Sequence, residues 1–253
     1  MKLIEALNVA EDAVVALVGG GGKTSAMFRL AREVAEKGGH AITTTTTRIF
    51  AAQIALAPAH VPASDATRDR VAAALAIHRH VLVIGDTNPK DGKADGVSLD
   101  LFERLPAWFP RACILNEADG SRMRPFKAPA AHEPVIPAQT TLVVPVVGAD
   151  VFGQTLDAES VHRPELVSAL SGAALGEPIT PEIVARVLAH PDGGRKGVPA
   201  GARIVVLINK VESLPDRKPA HETAEQLLRD PAIHSVVLAT VRAENPVLEV
   251  YGR

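Results

Sequence analysis

The sequence predicts an α/β fold, with a mostly parallel sheet covered by helices on both faces. Three observations predict it. Short Val/Ile/Leu-rich runs are continuous rather than alternating, as in strands buried on both sides. Helix-like segments lie between several of them. Four consecutive glycines, Gly19–Gly22, stand between the first such run and the first helical stretch.

Ala13–Val18 (AVVALV) reads as the first buried strand. After the glycines, Met27, Leu30, Ala31, Val34 and Ala35 fall on one helical face, which Gly38 and Gly39 can end. The glycines therefore join a strand to a helix N-terminus. Backbone N–H groups there can curl around an anion, and the helix dipole favours negative charge. Lys23 can reach a terminal phosphate, and Thr24 beside it can ligate Mg²⁺. This is the P-loop mechanism. The strict pattern G-x-x-x-x-G-K-[ST] requires glycine at position 17, where this chain has Leu17. The loop reads instead as G-x-x-G-K-T from Gly19, with Gly20, Gly21, Gly22, Lys23, Thr24 and Ser25 as the nucleotide-binding set.

Threonine-rich Ala41–Thr46 is the second strand, and His80–Ile84 the third, behind a helix at Arg68–Ile77. Ala112–Leu115, Leu142–Val147, Arg203–Ile208 and Ser235–Leu238 continue the series, with a helix at Ala220–Leu228. Residues 148–201 differ. They hold two short helix candidates, after Pro164 and after Thr180-Pro181, where threonine caps and proline opens a helix. The chain 1–253 is thus read as one P-loop NTPase-like domain, with a helical insertion at about 148–201 before the sixth strand. Pro191–Gly201 reads as a surface loop.

Composition narrows the function. Aromatics are only 3%, which argues against stacking platforms for single-stranded nucleic acid. Net charge is −2, so no global field attracts nucleic acid or anionic membrane. No apolar run approaches a membrane span, and the N-terminus has no signal-peptide core. The single cysteine, Cys113, fits a reducing, cytoplasmic setting. A homodimer is compatible with this composition.

The chemistry is expected at the carboxyl ends of the strands. "NEADGSRMRPFKAPAAHEPVIP" follows the fourth run. Its Glu117 and Asp119 are placed to hold Mg²⁺ or its water, or to orient an attacking water. With Lys23 they form the expected catalytic set, and with Thr24 the metal set. Arg122, Arg124, Lys127 and His132 follow on a chain stiffened by prolines, and suggest an anionic second substrate. Thr45 and Arg48 in "ITTTTTRIF" can line the phosphate site. His162 and Arg163 are polar-loop candidates for the same side, and "GDTNPKDGKADG" (Gly85–Gly96) is a further polar loop that can face it. "VVLINKVES" carries Asn209-Lys210-x-Glu212, close to the N-K-x-D guanine reader. Its carboxylate can accept from guanine N1–H and N2–H₂, which adenine cannot donate. Ala239-Thr240 ends the last strand, where a small residue contacts the base. GTP is therefore expected over ATP, with NTP hydrolysis as the reaction. A kinase or nucleotidyltransferase on a small anion, and a non-hydrolysing scaffold, are the alternatives.

The segments "GGGGKTS", "TTTTTRIF", "EADGSRMRPFKAPAAHEPVIP", "VVGADVFGQTLDAESVHRPE" and "VLINKVE" together resemble the YqeC-like selenium-dependent molybdenum hydroxylase accessory proteins. The resemblance implies a role in maturing such a hydroxylase, with that enzyme or its cofactor as partner. More distantly, Glu117-Ala-Asp-Gly120 is similar to the E-x-x-G element of metal-delivering GTPases. Their cysteine-rich metal motifs are absent here. An anionic molybdenum species suits Arg122, Arg124 and Lys127 better than a soft divalent ion.

Overall fold

The computed structural model describes residues 1–252. Nine strands form the main sheet. They are β1 (Val14–Gly19), β2 (His40–Thr45), β3 (His60–Pro62), β4 (His80–Ile84), β5 (Ala112–Glu117), β6 (Leu142–Gly148), β7 (Arg203–Asn209), β8 (Ile233–Ala239) and β9 (Val247–Gly252). Their spatial order is β9-β8-β7-β6-β1-β5-β2-β4-β3. Every neighbouring pair is parallel except β8 with β9. β1 is central, so its loop opens between the carboxyl ends of β5 and β6.

Alternate residues of each strand face opposite layers. Val15, Leu17, Val144, Val205 and Leu207 pack under α1 (Leu3–Ala6) and α2 (Lys23–Glu36). Val14, Val81, Val83 and Ile114 pack against α3 (Arg68–His78) and α4 (Leu99–Trp108). Val206, Ile208 and Val236 share a cluster with α5 (Pro164–Ser171), α6 (Pro181–Ala189) and α7 (Lys218–Leu227). Both faces are thus covered, and for that reason the strands read as unbroken apolar runs. Among the described residues, no helix is long and apolar enough to cross a membrane.

Two edge strands change the expected count. β3 has three residues, ends in a proline and lies at the sheet edge, so no buried apolar run marks it. β9 is mostly exposed and antiparallel, so it carries no buried apolar run. The helical insertion consequently precedes the seventh strand of the sheet, not the sixth, and β8 is the last parallel strand rather than the last strand. Thr180 caps α6 through its hydroxyl, as its sequence predicts. Outside the main sheet, Phe126–Lys127 pairs with Val161–His162, and Lys93–Ala94 lies between Ile49–Phe50 and Thr87–Asn88.

Candidate functional site

The four glycines are filled by the protein itself. An added Cβ would stand 2.4 Å from Val146 O at Gly19 and 2.6 Å from Arg124 O at Gly20. At Gly21 it would stand 2.0 Å from Gly148 N, and at Gly22 2.4 Å from Asn209 Nδ2. Gly19, Gly21 and Gly22 also have φ of +95°, +74° and +124°, which other residues rarely adopt. Two N–H groups expected at an anion are used internally. Gly20 donates to Val146 O at 2.9 Å and Gly21 to Arg124 O at 3.1 Å. The open donors lie further on. α2 begins at Lys23 with no side-chain cap, so its first N–H groups have no carbonyl within the helix. Gly22, Lys23, Thr24 and Ser25 face a cavity of about 380 Å³.

Charge is concentrated at this loop. Lys23 is buried and donates to Gly19 O at 2.5 Å, with Asp119 at 3.2 Å and Glu117 at 3.7 Å. Burial opposes its ammonium, but the two carboxylates outweigh that and raise its pKa above the ordinary lysine value. Glu117 accepts from the Thr24 hydroxyl at 2.7 Å. Burial pushes its pKa up, against the pull of Lys23 and Thr24. Asp119 behaves differently. Both its oxygens accept the Gly19 N–H at 3.0 Å, and Lys127 sits 2.9 Å away on the far side. Glu117 lines the cavity, whereas Asp119 anchors the loop from behind. Glu117 and Thr24 therefore remain as the pair able to hold a cation, without Asp119.

At the other end, Asn209 Nδ2 donates to Gly21 O at 2.8 Å, and its Oδ1 accepts from Val241 N–H at 3.0 Å. One side chain thus ties the glycine loop to the turn after β8. Lys210 lines the cavity and pairs with Asp150 at 2.6 Å. Glu212 is exposed and accepts from the Thr240 hydroxyl, so N-K-x-E and the end of β8 do meet. Ala239 is buried in the strand behind them.

The remaining expected residues divide. Arg48 and Arg122 line the cavity; Arg48 is also paired to Asp91 and Asp95 at 2.8 Å. Thr45 is buried and its hydroxyl donates to Glu117 O at 2.8 Å, so it supports the acid rather than facing the cavity. Arg124 contributes its carbonyl to Gly21, not a charge to the cavity. Lys127 points inward, to Asp119, to Gly120 O at 2.7 Å and to Glu133 at 2.6 Å. Arg163 reaches the same Glu133 at 2.7 Å. His162 is half-buried there; burial first, then Arg163, Lys127 and Arg122, lower its pKa to about 4. His132 is exposed and is not a lining residue. Only Arg122 of the expected basic loop thus meets the cavity, because Asp119 and Glu133 draw Lys127 and Arg163 into the interior.

Arg242 and Gln53 line the cavity unforeseen, as does Lys93, the one residue of the expected polar loop that reaches it. Arg242 lies 3.4 Å from the Ser25 hydroxyl, and its place just after Ala239-Thr240 was the available signal. Lys93 comes from the polar loop Gly85–Gly96 and stands 5.7 Å from the Phe50 ring centre.

The family model described as "YqeC protein" matches residues 15–165. A relative from Escherichia coli strain K12, described as "Uncharacterized protein YqeC", is 31% identical over 198 residues, covering 78% of this chain and 75% of the relative. The chain belongs to the YqeC family. The matched region of this YqeC chain holds the glycine loop, Glu117, Asp119, Lys127 and Arg163; Asn209–Glu212 and Thr240–Arg242 lie beyond it.

Among the described residues, no group of three or more His, Cys, Asp or Glu could hold a metal ion. Thr24 with Glu117 fits a different demand. Mg²⁺ keeps several waters and takes one or two protein ligands when phosphates supply the rest.

Proposed function

We propose that this YqeC chain binds and hydrolyses a nucleoside triphosphate with Mg²⁺, prefers GTP, and serves as a maturation factor for a molybdenum hydroxylase. The observation that carries the nucleotide reading is one convergence: the open start of α2, buried Lys23, and the Thr24–Glu117 pair around a single cavity. Phosphates would take the N–H groups of Gly22–Ser25 and the Lys23 ammonium. Thr24 and Glu117 would hold Mg²⁺, which supplies charge neutralisation at the phosphates. Glu117, with its raised pKa, is also the group to orient or deprotonate a water. Arg242 beside Ser25 adds a cation at the helix start.

The GTP preference rests on Glu212, held beside Thr240 two residues after the cavity-lining Lys210, whose carboxylate oxygens suit guanine. The maturation role rests on the family resemblance. Arg48, Arg122 and Lys93 at the rim suit an anionic client species. Calorimetric titration of Mg·GTP into the wild type and Lys23→Ala tests the core of this reading. Lys23→Ala is expected to lose at least about 100-fold in affinity while still folding, with a lower unfolding temperature because Asp119 and Glu117 lose their buried cation. Equal affinity in the two proteins removes the phosphate role.

A further inference from the structure

We propose that Lys127 is a positioning residue that frees Lys23 for a phosphate, and that Glu133 carries the exchange to Arg163 at the head of α5. The inference rests on the phosphate-binding reading above. Five groups of alternating charge run from the cavity into the insertion: Lys23, Asp119, Lys127, Glu133 and Arg163. Successive contacts are 3.2, 2.9, 2.6 and 2.7 Å. The side chains of Lys23, Asp119 and Lys127 are at most 2% exposed. Buried charges are tolerated only when paired and hydrogen-bonded, and removing one partner leaves the other uncompensated.

That rule constrains Lys23. Its ammonium is held by Gly19 O, Asp119 and Glu117, so reaching a phosphate means leaving Asp119. Asp119 would then be a buried carboxylate short of one cation. Lys127 supplies the second, and the Gly19 N–H still bonds both oxygens. Lys127 divides its ammonium between Asp119, Gly120 O and Glu133. Departure of Lys23 draws it toward Asp119 and away from Glu133. Glu133 also holds Arg163, and these two bonds keep its pKa down at about 2 against the opposing effect of burial.

The geometry turns that shift into a signal. Lys127 lies in the short strand Phe126–Lys127, paired with Val161–His162, and Arg163 follows directly at φ 64° as the N-cap of α5. Glu133 clamps both sides of this ribbon at once. Loss of the Lys127 bond removes one side of the clamp. The head of the helical insertion therefore responds to whether Lys23 is on Asp119 or on a phosphate, and the insertion becomes the surface through which a partner senses the nucleotide.

Calorimetry with Mg·GTP on Lys127→Met, Asp119→Asn and the double variant tests the positioning role. Lys127→Met is expected to lower affinity about 30-fold, because Asp119 then retains Lys23. Adding Asp119→Asn is expected to restore it to within about threefold of wild type, since the trap is gone. A merely structural lysine would leave the double variant no better than the single one, and that result overturns the positioning role. Hydrogen exchange on Lys23→Met without nucleotide tests the coupling, and needs neither Lys127 variant to fold. Amides of residues 161–167 are expected to exchange about fivefold faster than in wild type. Unchanged exchange there overturns the link to Arg163. Faster exchange in Lys23→Met, with no Mg·GTP binding by the wild type, overturns the phosphate role and leaves the coupling standing.

Discussion

The two ends of the proposed nucleotide site are built on opposite principles. At the proposed phosphate end, Lys23, Glu117 and Asp119 are buried and locked in ion pairs and hydrogen bonds. At the proposed base end, where β7 and β8 finish, Glu212 and Arg242 are exposed, and Asn209 is the buried polar residue. The matched family region covers the first and stops short of the second. The difference teaches where specificity can reside. A buried paired charge is worth much and tolerates little change, whereas an exposed carboxylate is screened by water and discriminates weakly. On the nucleotide reading proposed above, phosphate binding is the strong property of this site, and base choice a graded one.

The sharpest test of that contrast is Glu117→Ala. It is expected to cut hydrolysis by about 100-fold or more while changing Mg·GTP affinity by less than about fivefold. Steady-state turnover with the client hydroxylase present, alongside calorimetry, separates the two effects. Normal turnover would remove Glu117 from the chemistry. Next in size is Gly21→Ala, which places a methyl group on the Gly148 backbone at a φ of +74°. A loss of about 3 kcal/mol in urea unfolding is expected, with or without nucleotide. A loss seen only in nucleotide binding would mean the loop is free to move, against the packing described.

At the base end the effects shrink. Glu212→Ala should reduce the GTP over ATP ratio from about tenfold to near one in competition titrations. Glu212→Asp should sharpen it, and an unchanged ratio in both variants makes the site a general triphosphate binder. The smallest effect is in pH. His162 is neutral when folded, its pKa lowered from 6.5 to about 4. The unfolded chain therefore takes up its proton first, and stability falls as pH drops from about 6.5 to about 4. His162→Gln should lessen that fall by about 2 °C in unfolding temperature, since the ring is only half-buried. An identical pH profile would place the ring outside the cationic cluster.

How much of this was legible from residues follows from what a sequence encodes. Strand ends are readable, because buried runs are continuous and stop abruptly. That rule places Lys23, Glu117 and Asn209 at or just beyond strand ends, as the structure does. Direction is not readable. Lys127 looked like part of a basic loop facing an anion, but two carboxylates draw it inward, and one of them, Glu133, lies only six residues away. Asp119 and Glu117 sit two residues apart and looked equivalent; the bend after β5 sends one behind the loop and the other into the cavity. Arg242 stands just after Ala239-Thr240, but that position does not reveal that its side chain turns back to Ser25. Edge strands β3 and β9 lack the buried pattern that reveals a central one.

The packing of the glycine loop has a consequence in time. Its four positions are completed by carbonyls and amides of residues 124, 146, 148 and 209, so the loop is finished only when widely separated parts of the chain have assembled. Closing such distant contacts is the slow part of folding for sheets of this kind. Ligand competence is then the last property the nascent chain acquires. A partner that engages only the assembled loop would then meet a finished fold and no unfinished one.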